Sequence, residues 1–139
     1  MPKEKLSLVL EHLQRYRFGQ NHSQTKLRYT GTKKPLAALE KLLRKNCPVS
    51  LPVAIKYCDL TEAKLCARCL VFADKTGKLK RFEIEVDATL PEPVVIDSFI
   101  HEWAHAMDYD RNGLSRKRHR KSWGVCFAEA WTCYDEAED

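Results

Sequence analysis

Hydrophobic positions change their period along the chain, and the period predicts which element each stretch forms. Leu6, Val9, Leu10 and Leu13 fall at i, i+3, i+4 and i+7, which predicts an amphipathic helix from about Lys3 to Arg17. The polar segment Gly19 to Thr32 reads as a loop, with His22 a solvated residue inside it. Leu36, Leu39, Leu42 and Leu43 restore helical spacing, opened by Pro35 and ended before Pro48. The middle of the chain switches to period two. Val53, Ile55 and Tyr57 alternate with polar neighbours, Leu65 to Ala73 is strand-like, and Phe82, Ile84 and Val86 alternate with Arg81, Glu83, Glu85 and Asp87. Asp74-Lys75-Thr76-Gly77 between the last two runs reads as a hairpin turn, so a small antiparallel sheet is expected.

Helical spacing returns in the last third. Ile96, Phe99, Ile100, Trp103 and Met107 make a core-facing stripe, while Asp97, His101, His105 and Asp108 form a separate polar row. Thr89 to Pro93 signals the start of this helix and Gly113 its stop. A final helix is predicted from about His119 to Tyr134, with His119, Trp123, Cys126, Phe127, Ala130 and Tyr134 on one face. Helices packed on a small sheet define an α+β domain, and no repeat or linker divides residues 1–139.

Composition narrows the setting. At 139 residues and 44% hydrophobic, the chain suits one core, and no apolar run approaches membrane-spanning length. Met1-Pro2-Lys3-Glu4-Lys5 lacks the apolar region of a secretory signal, so a cytoplasmic protein is expected. The six cysteines are then expected as free thiols, with Cys126 and Cys133 in the core. Cys66 and Cys69 form a CxxC pair, but they fall in a predicted strand, where side chains three apart point to opposite faces. A second metal site there is disfavoured.

The chemistry is concentrated in His101-Glu102-Trp103-Ala104-His105, an HExxH segment on the predicted helix. Histidines four apart stack on one helical face and can bind a single Zn²⁺, while the intervening glutamate can take a proton from a metal-activated water. A catalytic zinc needs a third protein ligand. Asp108 lies on the same row, but one straight helix cannot wrap three ligands around an ion, so it reads instead as a carboxylate orienting a ligand histidine. Glu129, within the final helix, could supply an oxygen. His119 is preferred, because it follows a turn containing Gly113 and can approach from another direction.

The stretch Ser98 to Ala106, followed by His119-Arg120-Lys121-Ser122-Trp123-Gly124, resembles the SprT-like zinc metallopeptidases, including their phage-type members. In that family an HExxHA helix is followed by a His-Gly-x-x-Phe/Trp segment whose histidine completes the zinc site. The resemblance covers about residues 35 to 137 and implies a zincin-like minimal metallopeptidase domain. It also implies His101, His105 and His119 as zinc ligands and Glu102 as the catalytic carboxylate. Arg120 stands where the family usually has glycine, and the four-cysteine zinc ribbon of many cellular members has no counterpart here.

The leading expectation is therefore a zinc endopeptidase acting on protein or peptide, with Glu102 as general base. Tyr109 and Tyr134 are candidate donors to the developing oxyanion, and an exposed edge at the Arg81 to Asp87 strand is expected to align an extended peptide. The alternative is a zinc-containing, nucleic-acid-associated binding protein without proteolytic activity. A net charge of +5 is concentrated around His119 in Arg116, Lys117, Arg118, Arg120 and Lys121, the residues that would contact phosphates.

Overall fold

The computed structural model describes residues 6–15, 34–115, 117 and 119–138. The predicted loop at 19–32, with His22, and the basic residues Arg116 and Arg118 lie outside them. Seven elements follow in order: β1 (Ser7–Arg15), α1 (Lys34–Asn46), β2 (Val53–Cys58), β3 (Leu65–Ala73), β4 (Leu79–Asp87), α2 (Glu92–Asn112) and α3 (Lys121–Glu138). Among the described residues the fold is α+β, a four-stranded sheet ordered β1-β3-β4-β2 with three helices.

The alternating pattern seen in the sequence sorts the two faces of this sheet. Ala67, Cys69 and Val71 of β3 sit opposite Val86, Ile84 and Phe82 of β4, and all six are fully buried. The alternate positions carry charge. Arg68 pairs with Glu85 at 3.0 Å and with Glu11 of β1 at 3.0 Å, and Lys56 of β2 pairs with Glu83 at 2.8 Å. One face therefore meets the core and the other is tied by cross-strand ion pairs. At the hairpin, Gly77 takes φ 89° and Asp74 Oδ1 accepts from the Thr76 and Lys78 amides, which closes the turn between β3 and β4.

Helix α2 lies against β3 and β4, and α3 packs on α2 and α1. The centre of the molecule is thus a helix covered on most of its circumference. Phe99, Ile100, Trp103, Ala104, Ala106 and Met107 are all buried. The Trp103 indole donates to the Cys47 carbonyl at 2.9 Å, fastening the end of α1 to α2. Gly113 ends α2 with φ 82°, a conformation that favours glycine, and its amide donates to the Tyr109 carbonyl at 2.9 Å.

Four sequence expectations are corrected. The first amphipathic segment is a strand, not a helix. Its register slips between Leu8 and Leu10, so two β1 positions oppose one on β3, and beyond the bulge Leu10 falls opposite buried Val71 while Leu13 falls opposite Arg68 on the other face. Pairing with β3 overrides the local signal. The sheet is mixed rather than antiparallel, because β2 runs parallel to β4; alternation fixes which face is buried but not strand direction. The Arg81 to Asp87 strand is not an edge, since β3 and β2 occupy both of its sides. The last helix begins at Lys121, leaving His119 in the preceding turn.

Candidate metal centre

The site is built where the middle of α2 meets the start of α3. His101 and His105 are four apart on α2, and their Nε2 atoms lie 3.3 Å from each other. The eight residues from Gly113 to Arg120 connect α2 to α3 and bring His119 to the same place, its Nε2 3.1 Å from that of His101. One ligand atom from each of the three residues lies within 4.8 Å of the others. Zinc held tetrahedrally by bonds of about 2.05 Å keeps its nitrogens about 3.3 Å apart, so the separations of 3.3 Å and 3.1 Å suit one ion of this size. His105 is buried, His101 half-buried and His119 exposed, which leaves the cluster open on the His119 side.

Glu102 adds a second observation. It is fully buried, and neither carboxylate oxygen has a hydrogen-bond partner among the described residues. Burial pushes its carboxyl well above the usual carboxylate range. The side chain lies near β3, where burial first and the Glu102 charge second hold the Cys69 thiol well above its ordinary value. A buried carboxylate without a protein donor, adjacent in sequence to one of three converging imidazoles, fits a cation and a protic molecule shared between them. The donor set therefore fits zinc.

Trp123 frames the imidazoles from α3. Its ring centroid lies 4.9 Å from that of His101, 5.4 Å from His105 and 4.4 Å from His119, and its indole donates to the His101 carbonyl at 3.4 Å. Phe127 stacks on Trp123 at 4.8 Å and also faces His101. The helical row of the final element contained this wall, but its spacing gave no sign that the aromatic rings pack on histidines.

The remaining candidates separate. Glu129 binds Arg111 at 2.7 Å, away from the imidazole cluster. Asp108 is buried, accepting from Arg120 Nε at 2.7 Å and from Asn112 Nδ2 at 3.0 Å. Its carboxylate thus acts on the neighbour of His119. Tyr109 is buried and stacks on His105 at 6.1 Å, while Tyr134 lies against Trp131 at 5.6 Å. Of the basic cluster, Lys117 and Lys121 are exposed, and Arg120 turns inward to Asp108.

All six cysteines are free, and Cys66 and Cys69 both lie in β3. Among the described residues no helix is long and apolar enough to cross a membrane. Comparison with protein-family models, curated proteins and solved structures gives no match.

Proposed function

We propose that the chain is a zinc-dependent endopeptidase with a zincin-like site, in which His101, His105 and His119 hold the metal and Glu102 is the general base. The observation that carries this reading is the convergence of three imidazoles, two from α2 and one from the turn before α3, with a buried glutamate next to His101 in sequence that has no protein donor among the described residues. When bound, zinc supplies a Lewis acid that activates water and polarises a peptide carbonyl. The protein's own residues do the rest.

Glu102 accepts the proton of the attacking water. Its raised affinity for protons, caused by burial, makes it a stronger base than an exposed carboxylate and then a competent acid toward the leaving amine. Trp123, packed against all three imidazoles, restricts their rings and keeps bulk water from that side. His119 is the exposed member, so substrate enters beside it.

The test is cleavage of casein and of a mixed peptide library by purified protein with one equivalent of zinc. Activity that disappears with a chelator, returns with zinc and is lost in Glu102→Gln supports the reading. A zinc-loaded protein that cleaves neither substrate, yet shows salt-dependent binding to DNA, replaces it with the nucleic-acid reading.

A further inference from the structure

His119 is the ligand that the fold has most difficulty placing. It sits on neither helix but in the turn before α3, and it is exposed. His101 and His105 are fixed by a helix buried on most sides, whereas His119 depends on whatever holds its loop.

Arg120, the next residue, carries out three interactions at once. Its Nε donates to Asp108 Oδ2 at 2.7 Å, its terminal nitrogen donates to the Gly113 carbonyl, and its guanidinium lies 5.8 Å from the Tyr109 ring centre. Gly113 and Arg120 are the two ends of the loop, so one side chain ties the beginning to the end and both to α2. Asp108 is 1% exposed and stands three residues after His105 on the same helix. A buried carboxylate left without its cation is strongly unfavourable, which gives the contact a fixed partner rather than an optional surface one. The planar guanidinium also presents donors in two directions from a rigid frame, which an ammonium cannot do.

We propose that Arg120 is a positioning residue that holds His119 in ligand geometry through Asp108 and the Gly113 carbonyl. The third arm of the site is then set before metal arrives. This rests on the zinc reading above and adds to it the device that makes the exposed ligand available. Pre-ordering the loop removes an entropic cost that zinc binding would otherwise carry, so the clamp acts on metal affinity as well as on the stability of the fold.

The experiment measures zinc affinity by competition with a chromophoric chelator, thermal melting of the metal-free protein, and the visible spectrum of the cobalt-substituted protein. It uses the parent, Arg120→Ala, Arg120→Lys and His119→Ala. Arg120→Ala should bind zinc about 10–100-fold more weakly, with a cobalt spectrum shifted toward that of His119→Ala. Arg120→Lys keeps the charge for Asp108 but not the fork, and should fall between Arg120→Ala and the parent, about 10-fold below the parent, with little change in melting. If Arg120→Ala does not fold, Arg120→Lys decides. Parent-like affinity and spectrum in a folded Arg120→Lys or Arg120→Ala, with a parent that binds zinc, overturn the clamp alone. A parent that binds no zinc overturns the metal reading and the clamp with it.

Discussion

His101 and His119 are 18 residues apart in sequence, yet their Nε2 atoms are 3.1 Å apart. That separation suits two ligands of one ion, so the metal-free protein should gain stability on adding zinc. One equivalent per chain is expected by elemental analysis. At free zinc 100 times the dissociation constant the gain is about 2.7 kcal/mol, read as a higher melting temperature that a chelator reverses. Melting indifferent to zinc would remove the metal centre.

Glu102→Gln should separate binding from chemistry. The amide fills the same buried space but cannot take a proton. Zinc content should remain at the parental level while peptide cleavage falls by about 10²–10⁴. Undiminished turnover would take Glu102 out of the mechanism.

The two candidates for the third ligand give opposite expectations. Glu129 is half-exposed and engaged with Arg111, so Glu129→Ala loses a surface ion pair worth about 0–1 kcal/mol and retains zinc. His119→Ala removes one of three imidazoles and should lose most zinc affinity. Chelator competition on both variants decides between them, and loss of metal at position 129 would reverse the assignment.

A structural control lies on the core-facing side of α2. Trp103→Phe keeps an aromatic ring in the core but withdraws the donor from the Cys47 carbonyl. An unsatisfied buried acceptor costs about 1–3 kcal/mol. Melting should drop by roughly 2–4 °C for each kcal/mol, with the zinc stoichiometry unchanged.

Burial also controls the thiols. It pushes Cys47 up to about 12, helped by the nearby Cys133 and Glu129, and Cys66 up to about 11, from an ordinary value of 9.0. Because thiolate is the reactive form, a raised value means slow alkylation at neutral pH that speeds up only as pH climbs toward these values. At pH 8, Cys47 should react with iodoacetamide about 10³-fold more slowly in folded than in unfolded protein. Mass spectrometry after timed labelling reads the rate at each cysteine, and equal rates in both states would contradict the buried setting.

What the sequence disclosed depended on how local the signal was. Histidines four apart with a glutamate between them specify one face of one helix, so His101, Glu102 and His105 could be identified without knowing the fold. His119 was accessible because a turn precedes it and a helical row follows. Arg120 read as one more charge in a basic run, since its partner Asp108 lies on another element and only the folded loop joins them. Leu6, Val9, Leu10 and Leu13 were misread for a related reason. Their spacing satisfies a helix when taken alone, and the pairing with β3 that places Val9, Leu10 and Leu13 in a strand comes from more than fifty positions downstream.

The slip in register at Val9 also bears on how the protein behaves in company. Among the described strands β1 is an edge, and Leu8 and Val9 on it are 48% and 42% exposed. A flat, greasy edge is an invitation for a second chain to add its own strand and begin an aggregate. The extra residue bends the backbone and interrupts the row of amides and carbonyls that such an intruder would need to match. The bulge at Val9 thus breaks the regular edge that β1 presents among the described strands. Straightening it by deleting Val9 would trade a tidier strand for a stickier molecule.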